Sequence, residues 1–125
     1  MEKTVSVIMG TYNGEKYIRE QLDSILSQTY SIKEIIIQDD GSTDGTVRIC
    51  EEYAEIYSNV LFSRNERNLG FNLNFKSAAQ RATGDFVAIC DQDDVWFPQK
   101  IARQVEAIGE HDLCFSTHLR GADMQ

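Results

Sequence analysis

Apolar residues in this chain come in short runs, and each run is closed by a cluster rich in polar residues, glycine or aspartate. Val5-Ser6-Val7-Ile8-Met9 predicts a first strand, and Gly10-Thr11-Tyr12-Asn13-Gly14 follows with turn chemistry. Residues 15–27 predict a helix, because Ile18, Leu22, Ile25 and Leu26 fall on one face at helical spacing. Residues 33–38, centred on Ile35-Ile36-Ile37, predict a second strand. The next segment, Asp39-Asp40-Gly41-Ser42-Thr43-Asp44-Gly45-Thr46, reads as turn and helix start in one. Ser42 or Thr43 can N-cap the helix that follows, and Asp44 favours its positive end. That helix runs to about Tyr57, with Val47, Cys50, Ala54 and Tyr57 inward.

Residues 59–63 predict a weaker third strand, and the polar loop 64–70 follows it. A helix over 72–83 turns Phe75, Ala78, Ala79 and Ala82 inward, with Gly84 as its C-terminal cap. Phe86-Val87-Ala88-Ile89-Cys90 is uninterruptedly apolar, as a strand buried on both faces of a parallel sheet should be. Pro98 suits the first turn of a last helix, whose inner face is Ile101, Val105 and Ile108 and which Gly109 ends. Leu113-Cys114-Phe115 predicts a fifth strand, and residues 118–125 carry no pattern.

Strand and helix alternate throughout, which predicts an α/β fold with a mostly parallel sheet and helices on both faces. Right-handed crossovers then bring the clusters at 10–14, 39–44, 64–68 and 91–94 to one edge. It is the edge at the carboxyl ends of the strands, where open parallel sheets bind ligands. The last cluster, Asp91-Gln92-Asp93-Asp94, crowds three carboxylates together. Such crowding is costly unless a cation sits among them. Hard oxygen donors suit Mg²⁺ or Mn²⁺, which keep several waters and share a phosphate-bearing ligand. Asp91 and Asp93 are therefore the candidate metal ligands, set against a diphosphate; a solvated acidic turn is the alternative.

Composition narrows the choice of partner. The chain has 125 residues, 42% of them hydrophobic, enough for one domain with a real core. A net charge of −8 argues against nucleic acid, which is bound through Lys and Arg. An anionic ligand would need a metal or backbone N–H groups. Cys50, Cys90 and Cys114 lie in apolar stretches and read as reduced core residues of a cytosolic protein. The first residues show no signal-peptide pattern, and no apolar run is long enough to span a bilayer. A cytoplasmic location follows as the expectation, with association at the inner face of the membrane left open. His111 and His118 are not spaced as a ligand pair.

Four motifs carry a resemblance: the first strand with Gly10-Thr11-Tyr12-Asn13, the octapeptide from Asp39 to Thr46, Asn68-Leu69-Gly70, and Cys90-Asp91-Gln92-Asp93-Asp94-Val95-Trp96. Together they resemble the family 2 glycosyltransferases of GT-A fold, in that family's order and over nearly the whole chain. The last motif is similar to the rhamnosyltransferase-like bacterial members. The resemblance implies a Rossmann-like nucleotide-sugar-binding domain, of which residues 1–125 are the donor-binding half and the C-terminal part is missing. It implies transfer from a UDP- or dTDP-sugar, with Mg²⁺ or Mn²⁺, to a glycan or lipid-linked acceptor. The stereochemistry would be inverting and the setting cell-surface polysaccharide synthesis. Homodimerisation stays open.

By the same resemblance, Tyr12 stacks on the base with Thr11 and Asn13 beside it, and Asp40 bonds the base edge. Asp91 and Gln92 meet the donor, Asp93 is the main metal ligand, and Asp39 holds its turn. Asp94 is structural, and Trp96 packs under the acidic segment. Many members carry an Arg-Asn pair in the third helix where this chain has Phe75-Lys76; Lys76 either offers its charge to a phosphate or is simply solvated. The family's catalytic base lies beyond residue 125, so the chain carries no catalytic residue of its own, and a non-catalytic nucleotide-sugar-binding module is the alternative.

Two other readings fit less well. Asp91-Gln92-Asp93-Asp94-Val95 also matches a haloacid-dehalogenase-type nucleophile motif. That motif should follow a first strand, and here it lies late. A response-regulator receiver would need its acidic pair after the first strand and an aspartate after the third, where this chain has Arg64-Asn65.

Overall fold

The computed structural model describes residues 3–91 and 94–108. Gln92, Asp93, Gly109, His111, the segment 113–115 with Cys114, and His118 lie outside the described residues. The elements run β1 (Val5–Thr11), α1 (Ile18–Leu26), β2 (Glu34–Asp39), α2 (Thr46–Ile56), β3 (Val60–Arg64), α3 (Phe71–Gln80), β4 (Phe86–Cys90) and α4 (Lys100–Ile108). The four strands form one parallel sheet in the order β3-β2-β1-β4. The predicted α/β alternation is therefore present, and every described strand ends on the same edge.

The alternation of side chains along the strands divides the core. Val5, Val7, Met9, Ile35, Ile37, Val60, Phe86, Ala88 and Cys90 join residues of α1, α2 and α4 in the larger cluster. Ile8 and Ile36 form the smaller one with Ala78 of α3, backed by Phe75, Ala82, Val87 and Ile89. Three helices thus cover one face and α3 the other. Burial of this apolar surface, worth roughly 25 cal/mol per Å², is the main stabilising term. Cys50 and Cys90 are buried in it, and neither is in a disulfide among the described residues. Among the described residues no helix is long and apolar enough to cross a membrane.

Several expectations need correction. Residues 15–17 form a turn, and α1 starts only at Ile18. The inner face of α2 is Thr46, Ile49, Cys50 and Tyr53, while Tyr57 is exposed and stacks on Tyr53 at 5.9 Å. Thr46 sets that phase, because its hydroxyl accepts from Gly14 N at 2.8 Å and donates to Asp44 Oδ1. Neither Ser42 nor Thr43 caps α2. The helix begins after Gly45, and Asp44 Oδ1 takes the Thr46 N–H at 2.9 Å. In α3 the inward residue beside Ala78 is the polar Asn74, and Ala79 is exposed. Val87 and Ile89 of β4 are only half-buried, since among the described residues β4 pairs with β1 alone.

Gly84 is not a helix cap, for α3 ends at Gln80 with Arg81 as the C-cap residue. It is a point of close approach to the sheet. A Cβ on Gly84 would lie 2.7 Å from both the Ser6 amide nitrogen and Ser6 Oγ. The same hydroxyl accepts from Gly84 N at 2.8 Å and donates to Glu34 Oε2 at 2.6 Å, while Thr83 N donates to Glu34 Oε2 at 2.7 Å. Backbone cannot yield as a flexible side chain does, so Gly84→Ala should cost roughly 1–3 kcal/mol through overpacking. Urea unfolding measures this directly; an unchanged midpoint would mean that the 83–85 turn shifts without loss.

Candidate functional site

The site is built from the row of residues at the ends of the strands. Thr11, Asp39 and Arg64 are in register across β1, β2 and β3. Asp39 is fully buried, and its carboxylate holds the turn behind it. Oδ2 accepts from Gly41 N at 3.0 Å and Ser42 N at 2.9 Å; Oδ1 accepts from Thr11 Oγ1 at 2.7 Å and Ser42 Oγ at 2.6 Å. Arg64 Nε stands 3.9 Å from Oδ2. The structural role read for Asp39 is the one it has. Ser42 and Asn13 then clip this turn to the loop after β1. Asn13 N donates to Ser42 Oγ at 2.8 Å, and Asn13 Oδ1 accepts from Thr43 N at 2.8 Å. Asn13 adopts a positive φ of 51°, which asparagine tolerates better than most residues.

Asp40 is buried too and faces the other way, toward the loop after β3. Its Oδ1 accepts from Leu69 N at 2.6 Å and Asn65 Nδ2 at 2.8 Å, and Oδ2 accepts from Gly70 N at 2.9 Å. Gly70 presents that N–H from a backbone φ of 89°, a conformation that favours glycine. Burial by itself pushes the Asp40 carboxyl up; the donors from Leu69, Asn65 and Gly70 outweigh it and hold the group below its ordinary value. Beneath lies an amide network: Asn65 Nδ2 donates to Asn74 Oδ1 at 2.7 Å, and Asn74 Nδ2 donates to the Gln38 carbonyl at 3.0 Å.

These loops enclose a cavity of about 300 Å³, lined by Gly10, Thr11, Tyr12, Asp40, Asn68, Gly70, Asn74 and Phe75. Tyr12 is 49% exposed, so its ring is available to a planar ligand, and Asp40 supplies the charge. A larger hollow of about 600 Å³ lies against α2 and β3, but Glu51, Glu52 and Glu55 line it, which disfavours an anion.

The acidic segment leaves β4, and Cys90 at the end of that strand pairs with Met9 of β1. The chain runs outward from β1 through β2 and β3, then crosses to β4 on the other side of β1. The crevice at such a switch point is where open sheets take ligands. Asp91 is half-buried, its carbonyl held at 2.7 Å by Gln21 Nε2, and Asp94 N donates to the same carbonyl at 3.1 Å. Trp96 is buried beneath the segment, with Lys100 Nζ 5.3 Å from its ring centroid. Among the described residues no three carboxylate, thiol or imidazole groups are set together to hold a metal. Of the two expected ligands only Asp91 is among the described residues, a half-buried carboxylate at the strand end and a hard oxygen donor of the kind Mg²⁺ and Mn²⁺ take.

The structure therefore brings Thr11, Tyr12 and Asp40 together around one cavity. Asn13 is a loop clip and does not line that cavity. Lys76 is exposed on α3 and outside the lining of this cavity, because Asn74 and Phe75 take the inner positions of the helix. Asp91 belongs to the same sheet edge but not to the described wall of the cavity, and Gln92 and Asp93 lie outside the described residues. Sequence reasoning missed Asn74 and Gln21. Their signal was available: each is a polar residue at an inward position of an otherwise apolar helix face.

With this geometry in place, comparison with known proteins is informative. The family model described as Glycosyl transferase family 2 matches residues 6–123. The chain is 43% identical over 108 residues to the putative glycosyltransferase EpsE of Bacillus subtilis, covering 86% of this chain and 39% of that protein. Among solved structures, S. aureus TarS 1-349 in complex with UDP-GlcNAc is 37% identical with a TM-score of 0.77, over 86% of this chain and 32% of TarS. The mannosyltransferase PcManGT from Pyrobaculum calidifontis, in complex with GDP-Man and Mn²⁺, is 29% identical with a TM-score of 0.81, over 89% of this chain and 34% of that one. The chain thus spans 32% to 39% of the length of these relatives.

Proposed function

Because the chain belongs to glycosyl transferase family 2, we propose that it forms the donor-binding part of a glycosyltransferase using a UDP- or dTDP-sugar. The observation that carries this reading is the cavity at the strand ends, which exposed Tyr12 and buried Asp40 both line. Tyr12 stacks on the base, and the Asp40 carboxylate accepts a base-edge N–H alongside its three protein donors. Backbone groups of Gly10 and Thr11 form the wall between them.

From that pocket the sugar diphosphate extends toward the end of β4, where Asp91 and Asp93 hold Mg²⁺ or Mn²⁺. These carboxylates would thereby hold a cation whose charge, once bound, would offset that of the nucleoside diphosphate leaving group. The binding of nucleotide sugars by TarS and PcManGT supports the donor assignment, and the Mn²⁺ in the latter supports the metal. The transfer is inverting, to a hydroxyl of a glycan or lipid-linked acceptor at the inner face of the membrane, in cell-surface polysaccharide synthesis. The base that takes the acceptor proton comes from outside this chain. The sugar is a hexose or rhamnose.

Titration calorimetry with UDP, with and without Mn²⁺, tests the reading. Mn²⁺ should strengthen binding by the wild type, and Asp93→Ala should lose roughly all of that increment, as expected when a first metal ligand goes. Equal Mn²⁺ dependence in both proteins would defeat the metal assignment. Absence of UDP binding under any condition would defeat the donor assignment.

A further inference from the structure

One stripe of polar side chains on and just past α1 bonds to the stretch of chain that follows β4. Gln21, Ser24 and Gln28 recur at three- and four-residue spacing and so share a face. Gln21 Nε2 donates to the Asp91 carbonyl at 2.7 Å. Ser24 Oγ accepts from Trp96 N at 3.0 Å while donating to the Gln21 carbonyl at 2.7 Å. Gln28 Nε2 donates to the Phe97 carbonyl at 2.8 Å, and its Oε1 accepts from Ile101 N at 3.0 Å. Residues 91, 96, 97 and 101 are thereby each fastened to α1 or to the turn just past it.

Gln21 is the unusual member. It is 1% exposed and shares its face with Ile18, Leu22 and Ile25. A leucine would suit that face better, since a buried amide is tolerable only when hydrogen-bonded. Its bond falls on the first residue after β4, where the chain turns from strand into acidic segment. The helix that carries it begins directly after the Tyr12 loop, so one rigid element joins both halves of the crevice.

We propose that Gln21 is a positioning residue for the diphosphate end of the site: by holding the Asp91 carbonyl it sets where the Asp91 carboxylate stands relative to the nucleoside cavity. This rests on the donor-binding reading above. Gln21 touches neither nucleotide nor metal; it acts through the backbone of Asp91. Its loss should therefore weaken what depends on the acidic segment and spare what depends on Tyr12 and Asp40.

The test uses Gln21→Met, which keeps the length and removes the donor, and Tyr53→Phe, which removes a hydrogen bond to Asp23 elsewhere on α1. UDP is titrated in Mn²⁺ and in EDTA. Gln21→Met should weaken binding in Mn²⁺ by about tenfold, in the range seen when partners of metal ligands are removed, and leave binding in EDTA within about twofold of wild type. Tyr53→Phe should leave both unchanged. Should Gln21→Met not fold, Gln21→Glu, which sets an oxygen against the same carbonyl, must show the same selective loss. Wild-type Mn²⁺ dependence in the folded Gln21 variant, or an equal fall in both conditions, overturns the proposal. A wild type that binds UDP without any Mn²⁺ effect would instead overturn the metal reading on which it rests.

Discussion

Asp39→Ala should destabilise the protein by roughly 3–5 kcal/mol, a large share of the ~5–15 kcal/mol that a domain of this kind commands. The carboxylate is 0% exposed and accepts from two backbone N–H groups and two hydroxyls. The hydroxyls of Thr11 and Ser42 can rotate toward other acceptors. The amides of Gly41 and Ser42 cannot, and they would be left facing a void. The guanidinium of Arg64, at 3.9 Å and half-exposed, would turn to solvent with little loss. Urea unfolding followed by circular dichroism should show a lower midpoint with an unchanged slope. Ser42→Ala, which keeps both amide bonds to Asp39, should cost much less. A loss under about 0.5 kcal/mol for Asp39→Ala would mean the turn is held by other groups, since that is the range of ordinary surface changes.

Asp40→Ala should have the largest effect on ligand binding, lowering UDP affinity at least ~100-fold, as loss of a charge-assisted contact and of the loop that shapes the cavity would together require. The carboxylate holds Leu69, Gly70 and Asn65, and Asn68 Nδ2 donates to the Asp40 carbonyl at 2.9 Å. Without it the loop that contributes Asn68 and Gly70 to the wall loses its anchor. Asp40→Asn removes the charge and sets an amide NH2 against one of these N–H donors, so it should lose part of both contributions and fall between wild type and Asp40→Ala. The pH dependence has a definite sign. The folded-state value of Asp40 is lowered, so the carboxylate stabilises the fold fully above its unfolded value, about 3.9, and the contribution is lost as pH falls through the lower folded value. The stability difference between wild type and Asp40→Asn should be flat from about pH 5 to 7 and shrink below about pH 4. A difference that grows on acidification would contradict the hydrogen-bond geometry. Full UDP affinity in Asp40→Ala would remove this residue from the site.

The order of elements was legible because each apolar run is short, each is punctuated, and the helices show the three- and four-residue recurrence of one buried face. Boundaries and caps were less so. Asp44, Thr46 and Gly14 decide between them where α2 starts and how it is rotated, and that decision is made by a bond across 32 residues of sequence. Gly84 looked like a helix end because glycine commonly is one. Only the approach of Ser6, 78 residues away, shows what the missing side chain is for.

The candidate site divides the same way. By itself the sequence determined the sheet edge and set the twin aspartates and the tyrosine of the first loop on it, because strand polarity follows from the alternation of strand and helix. The tertiary structure alone decided that Asp39 and Asp40 face opposite ways, that Lys76 points away from the cavity, and that Gln21 reaches the Asp91 carbonyl. Those are matters of direction and distance between segments remote in sequence. The hydrophobic pattern is silent on them, because it records which positions avoid water and not which polar groups meet once they do.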